Sequence, residues 1–399
     1  MRNDELGLPI LTYGFRVFFL AAGVYAVAVL AAWLTWLGLH LAGAVVTGPS
    51  FSGAPHLWHG HEMIFGYAIA AVAGFMLTAI PSWTGARPVT GTPLAVLGLV
   101  WLAGRVVIWL SALLPGAVVA AVDLAFLPLF AYFVTRGLLL KPAPRNLVFL
   151  VFLALLFVSN LAVHLEWNGI TGDSALWGLY CAILTLALMV SIIGGRIVPA
   201  FTRNVLVREG QTLLPRSFPA VDAIALGAGT LTVLGYVFGA PAQLAGAVAA
   251  LAAAAHLVRL SFWRFQATLG SPILWSLHLA YLWLVIGYGL LAAALLTGAL
   301  GEALAMHAIG IGAVGGMTLA VMTRAALGHS GRPLVTARAI TWSYVLVALA
   351  AVARTFGPVV LPGYYLEIVL GAGAFWVAGF AIFVVVYWPI LTGPSKTAD

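Results

Sequence analysis

The sequence predicts an all-α fold: a polytopic membrane protein built as a bundle of twelve transmembrane helices, with both termini cytoplasmic. Three observations carry this. The 399 residues are 63% hydrophobic and only 7% charged, where a soluble domain carries about a quarter charged residues. The apolar residues fall in runs of about 18–27 residues, the length a helix needs to cross a bilayer. Among the connections, Lys and Arg are confined to alternate ones. Period-two alternation is absent, and lipid offers no partners to open strands, so the spans are helices.

In chain order, Met1–Pro9 is polar and short. The apolar run after it, Phe15–Leu39, is too long for a signal-peptide core and shows no cleavage site, so it reads as a retained anchor. The turn residues Thr47-Gly48-Pro49 precede the second span, His61–Ser82. Pro93–Leu113 and Ala117–Leu140 follow, divided by Pro115-Gly116, and Pro142-Ala143-Pro144 introduces Asn146–Glu166. The sixth span is Ser174–Pro199, and Pro215 lies before the seventh, Phe218–Phe238. Gly239-Ala240-Pro241 opens the eighth, Pro241–Leu260, which is followed by Pro272–Leu296 and Gly301–Arg324. Ala337–Phe356 ends at Gly357-Pro358, and Pro362-Gly363 leads into Tyr364–Ile390. The whole, 1–399, reads as one transmembrane domain.

One set of connections carries Arg87; Arg136, Lys141 and Arg145; Arg203, Arg208 and Arg216; Arg259 and Arg264; Arg324, Arg332 and Arg338, and its tails add Arg2, Arg16 and Lys396. The alternate connections carry none, which puts the basic set in the cytoplasm. The formal charge of +7 is therefore a topology signal and does not point to nucleic acid. Cys181 is the only cysteine, which excludes an intramolecular disulfide, a Cys-x-x-Cys-His haem attachment and a cysteine-bound iron–sulfur cluster. No phosphate loop, dinucleotide fingerprint, zinc-protease helix or nucleophile elbow is present.

This orientation sorts the nine histidines by depth. His40, His56, His59, His61, His164 and His307 lie towards the outer side, His256 and His278 towards the inner side, and His329 in a cytoplasmic connection. Ionisable groups in a bilayer are functional candidates by default. In His56-Leu57-Trp58-His59-Gly60-His61-Glu62-Met63, a regular helix puts His56, His59 and Met63 on one face and His61 nearly opposite. Either Gly60 breaks the helix and the cluster chelates one ion, or two sites flank it. An interfacial anchor is the plainer alternative. Imidazole suits iron, copper, zinc and nickel, and a thioether such as Met63 adds preference for copper(I). Gly66, Ala70, Ala73 and Gly74 form a smooth lane that suits close helix packing or a flat macrocycle.

His307 is followed by Gly310, Gly312, Gly315 and Gly316 and can serve as an axial ligand or bond a neighbouring carbonyl. His164, with Asn160 one turn earlier, can complete a copper site or cap its helix. Arg105 and Arg354 lie at the histidine depth and can face haem propionates, or pair with Asp123 and Glu367. His278 and Tyr281 form an i,i+3 pair that reads first as packing. The run from His61 to Arg87-Pro88 weakly echoes that from His307 to Arg332-Pro333.

Five stretches carry a family resemblance: His56–Gly66; Gly74–Gly85; Gly194-Gly195-Arg196-Ile197-Val198-Pro199-Ala200-Phe201-Thr202-Arg203-Asn204; Leu277–Tyr281; and His307–Arg324, with Leu327-Gly328-His329-Ser330-Gly331-Arg332-Pro333 after the last. They resemble the NnrS family over nearly the whole chain. The resemblance implies a bacterial inner-membrane protein that binds haem and copper and acts in the response to nitric oxide, in denitrification or nitrosative stress. Twelve helices with histidines near the outer ends of the second and tenth also resemble the main subunit of the haem–copper oxidases, a likeness of architecture alone.

The resulting expectation is a non-covalent haem b in the outer half, with His61 and His307 as axial ligands, His59 as substitute, and Arg105 and Arg354 at the propionates. Copper is expected near His56, His59 and Met63, with His164. The ligand would be nitric oxide or a related small molecule, and an oxidoreductase acting on it is the activity this allows. No catalytic group or electron donor, quinol or cytochrome, is identified. The alternatives are a metal-ion transporter or copper-handling protein without haem, and a b-type cytochrome for electron transfer only.

Overall fold

The computed structural model describes residues 7–44 and 51–396. Arg2 and the Thr47-Gly48-Pro49 turn lie outside the described residues. Among the described residues, twelve helices are long and apolar enough to cross a membrane: Gly14–Leu41, Pro55–Thr84, Gly91–Trp109, Gly116–Leu138, Pro144–Trp167, Ser174–Arg208, Pro219–Val237, Ala242–Ser261, Pro272–Thr297, Glu302–His329, Arg338–Val360 and Pro362–Thr392. Their number and order are those the sequence predicts, and the described residues include no strand.

The boundaries differ where local chemistry overrides hydropathy. The second span starts at Pro55, six residues earlier than expected, so His56 and His59 are helical. Proline suits a first helical position because its missing N–H would be unpaired there anyway. The tenth span runs on to His329, which the sequence places in a connection, and that ring packs 5.9 Å from Phe15. The fourth span breaks at Ala125; Pro128, four residues after Leu124, cannot donate to the Leu124 carbonyl.

The chain divides into two compact units. The first comprises residues 1–182, 322–334 and 380–399, and the second residues 183–321 and 335–379. Three of the boundaries fall inside the sixth, tenth and twelfth spans, and the fourth in the connection between the tenth and eleventh.

In the first unit, the first span packs along the second through its aromatic rings. A Cβ on Gly66 would meet the Tyr25 ring, and one on Gly74 would meet Phe18 and Phe19. The small-residue lane is therefore filled by side chains of the first span, the close-packing outcome. Arg16, 1% exposed, ties the chain end down. It donates to the carbonyls of Ile390 (3.2 Å), Leu391 (3.0 Å) and Gly393 (2.5 Å) and to Ser395 Oγ (2.8 Å). These are the carbonyls a helix leaves unpaired at its C-terminus. Arg16→Ala is expected to cost about 1.5–3 kcal/mol, the range for hydrogen bonds to a charged group. Arg16→Lys should recover part of it, as read by thermal unfolding in detergent.

In the second unit, the eighth span packs against the ninth through a stripe of small residues, Ala245, Gly246, Ala249 and Ala252, all buried. Gly246 lies against Leu295 and Leu296, where a Cβ would fall 2.8 Å from Leu296. In the tenth span Gly312 receives the Trp283 ring and Gly315 the Trp376 ring.

Each unit contains one π-helix: Glu62–Ala68 directly after His61, and Ala308–Gly315 directly after His307. π-turns widen the helix by one residue and collect at functional sites. In the first one the Gly66 carbonyl accepts from Trp101 Nε1 at 3.1 Å.

Candidate metal centre

Four consecutive spans of the first unit bring polar groups to one depth. His61 and Glu62 lie in the first turns of the second span, Arg105 in the last turns of the third, Asp123 early in the fourth, and Asn160 and His164 late in the fifth. By the charge pattern this is the outer end of each. All six are buried.

Asp123 is the hub. Its Oδ1 pairs with Arg105 Nη2. Its Oδ2 lies 2.8 Å from His164 Nε2, 2.8 Å from Asn160 Nδ2 and 3.3 Å from His61 Nε2. Gly104 permits this approach, since a Cβ there would fall 3.0 Å from Asp123 Oδ1 and 3.3 Å from its Cα. Glu62 is the second carboxylate. Its Oε1 meets Arg105 Nη1 and, at 2.8 Å, His61 Nδ1, and its Oε2 takes the Tyr25 hydroxyl. Trp109 Nε1 donates to the Tyr25 oxygen at 2.7 Å. Rings close the site: Phe65 and Trp167 lie 5.0 and 5.1 Å from His61, and Trp58, held between Phe51 and Trp109, covers the outer side.

His61, Asp123 and His164 each offer a ligand atom, and these atoms all lie within 4.8 Å of one another. Two imidazoles and a carboxylate form a donor set that suits copper(II), iron(II), zinc or nickel. The hydrogen-bond pattern supports a cation here. Asn160 donates Nδ2 to the carboxylate, so its Oδ1 faces His61 Nε2 at 2.8 Å. His61 Nε2 thus meets two acceptors, Asn160 Oδ1 and Asp123 Oδ2, while Nδ1 meets a third, Glu62 Oε1. A second ring proton, a protonated Glu62 carboxyl or a metal ion satisfies that arrangement. Two carboxylates face one guanidinium in the cluster. Arg105 Nε and Trp167 Nε1 are buried beside it with no hydrogen-bond partner among the described residues.

A macrocycle fits less well at His61. Both ring nitrogens are engaged, and Phe65, Trp167 and His164 crowd the ring. Arg105 is taken up by the two carboxylates.

The other sequence candidates lie elsewhere. Gly60 does not break the helix, so His59 and His61 face different ways. His59 stacks on Trp33 at 4.8 Å, in a column continued by Trp36 and His40. His56 is exposed and Met63 half-buried. His164 stands with His61 and Asp123. In the second unit His307 Nδ1 donates to the Ala303 carbonyl at 2.6 Å, which leaves Nε2 as its acceptor nitrogen, the arrangement usual in metal-binding histidines. Arg354, half-buried in the same unit, lies over the Tyr365 ring at 5.7 Å rather than pairing with Glu367.

Glu62 and Asn160 act as partners of His61 that the sequence marks only as neighbours of histidines. Asp123, which the sequence offers only as a partner of Arg105, is also the neighbour of both histidines. A family profile described as "NnrS protein" matches residues 9–395. No curated protein shows significant similarity to the chain. A twelve-span chain matched over nearly all its length by that profile belongs to the NnrS family of multi-pass membrane proteins, which is linked to the nitric oxide response.

Proposed function

We propose that the chain is a metal-dependent protein of the bacterial inner membrane, acting in nitric oxide metabolism or resistance to nitrosative stress, and that His61, His164 and Asp123 hold a copper ion. The observation that supports this best is the convergence of three ligand atoms within 4.8 Å inside otherwise apolar spans. Copper(II) stands highest in affinity for nitrogen and oxygen donors among first-row divalent metals, and the family resemblance implies it. When bound, the ion supplies a redox-active centre that can take nitric oxide or a related small molecule as ligand. The chain's own groups do the rest. Glu62 orients His61 through Nδ1, Arg105 holds both carboxylates in place, and Phe51, Trp58 and Trp109 keep water from the outer side. Haem b is assigned to His307 through Nε2, with Arg354 as the nearby cation of that unit. Electrons would come from a quinol or a cytochrome.

Metal counting on the purified protein tests this. His164→Ala and Asp123→Asn are each expected to lose copper while keeping any Soret band, and His307→Ala to lose the Soret band while keeping copper. Full copper in the combined His164→Ala, Asp123→Asn variant would refute the ligand assignment. A spectrum of the reduced protein unchanged by nitric oxide would favour electron transfer alone, and a protein without a Soret band would favour copper handling.

A further inference from the structure

The second unit contains a buried polar chain that the proposed copper site does not use. Asp222 starts it, in the first turn of the seventh span, with its side chain 32% exposed. Arg259, in the last turn of the eighth span, donates Nε to Asp222 Oδ1 at 2.7 Å and Nη1 to the Tyr281 hydroxyl oxygen at 2.6 Å. Tyr281, fully buried on the ninth span, lies 2.7 Å from His256 Nδ1. His256 Nε2 lies 3.3 Å from Ser191 Oγ on the sixth span. By the charge pattern, Asp222 and Arg259 are at the cytoplasmic end and Ser191 is deeper in the bilayer.

The Gly194-Gly195 pair, part of a long motif that nothing in the copper site explains, makes room for this chain. A Cβ on Gly195 would strike the Arg259 guanidinium, and one on Gly194 would fall 3.0 Å from the Tyr281 ring. Tyr288 stacks on His256 at 5.6 Å and 9°, and its buried hydroxyl has no hydrogen-bond partner among the described residues. His278, three residues before Tyr281, is not a member. It is spent on the Leu274 and Trp263 carbonyls, at 3.1 and 3.2 Å.

We propose that Tyr281, His256 and Ser191 form a proton relay through the cytoplasmic half of the second unit, with Arg259 and Asp222 fixing the Tyr281 hydroxyl at its cytoplasmic end. An imidazole held between two hydroxyls can accept at one ring nitrogen and donate from the other without a net change of charge. In the inward step the Tyr281 hydroxyl proton passes to His256 Nδ1, the Nε2 proton passes to Ser191 Oγ, and Ser191 gives its own hydroxyl proton to water deeper in the span. Tyr281 is left as the phenolate, its charge offset by the Arg259 guanidinium, until a water entering past Asp222 reaches the phenolate oxygen itself and returns the proton. Arg259 stays charged throughout and conducts nothing. The groups facing His256 are Tyr281, Tyr288, Ser191 and Arg259, with Asp222 behind the last.

The test needs no metal and so stands apart from the copper reading. The full chain, labelled with ¹⁵N-histidine and placed in lipid bilayers, is transferred to deuterated buffer. Loss of the His256 ring N–H signal is followed by NMR, with the signal assigned by its absence in His256→Gln. A relay exchanges within the mixing time, and Tyr281→Phe slows exchange about a hundredfold, the lower range for a positioned proton-transfer group. Ser191→Ala leaves the Arg259–Tyr281 contacts whole, removes the hydroxyl that faces both His256 and Tyr281, and serves if Tyr281→Phe does not accumulate; slowing is expected there too. A His256 N–H protected for hours in the unaltered protein would mark a sealed structural network and overturn the relay. Equal exchange rates in all the variants would do the same.

Discussion

Replacing Arg105 with alanine is expected to destabilise the protein by about 3–5 kcal/mol, the usual cost of removing one partner from a buried ion pair. Its guanidinium bridges Glu62 and Asp123, whose side chains are both 0% exposed. Without it, two carboxylates remain in a medium that cannot hydrate them. Arg105→Lys keeps the charge but not the fork that reaches both acids at once, so it should recover only part of the loss. The decisive comparison is Arg105→Met combined with Glu62→Gln and Asp123→Asn. If charge is the cause, this neutral set regains most of the stability that Arg105→Ala loses. If it stays as unstable, the shape of the arginine matters and the electrostatic account fails. Unfolding in detergent, with the amount of protein in the membrane as a second readout, measures both.

Which parts of this arrangement can be read from sequence follows from what each constraint leaves behind. The bilayer demands twenty-odd apolar residues and a basic flank for every crossing, so the spans and their directions are plain. Direction gives depth, and depth puts His61, Arg105, Asp123 and His164 at the same level although they are spread over four spans. The pairing of Arg105 with Asp123 is visible on these grounds alone. Azimuth is not. Whether His59 or His61 faces the cluster depends on where the second helix begins, and Pro55 fixes that six residues upstream of the hydrophobic boundary. The π-turns are also invisible to spacing, because they insert a residue without any change of composition. Their recurrence directly after His61 and His307 is the structural side of the echo between the two stretches. The glycines are ambiguous in the same way: Gly66 and Gly74 suit close packing or a flat macrocycle equally, and only the structure shows Tyr25 and Phe19 against them. His256 and Tyr281 are 25 positions apart, with no shared motif, so only the packing of the eighth span on the ninth reveals them as neighbours.

Glu62→Gln is expected to weaken copper binding about 10–100-fold, the range for carboxylates that stand behind a metal-ligating histidine. Glu62 Oε1 lies 2.8 Å from His61 Nδ1. By taking the Nδ1 proton it holds the ring in the tautomer that presents Nε2 to Asp123 Oδ2 and His164. Its charge also makes Nε2 a stronger donor to a cation. Glutamine preserves the volume and can still accept at its carbonyl oxygen, so the fold should survive and the copper content at saturation should be unchanged. Only the affinity moves, as read by titration against a competing chelator. Asp123→Asn behaves differently because it removes a ligand oxygen charge and should empty the site at any accessible copper concentration. The contrast between a graded loss at Glu62 and an outright loss at Asp123 is what a bound metal requires. A purely structural ionic cluster would instead show both substitutions shifting stability and neither changing copper, and that pattern would dismiss the metal centre.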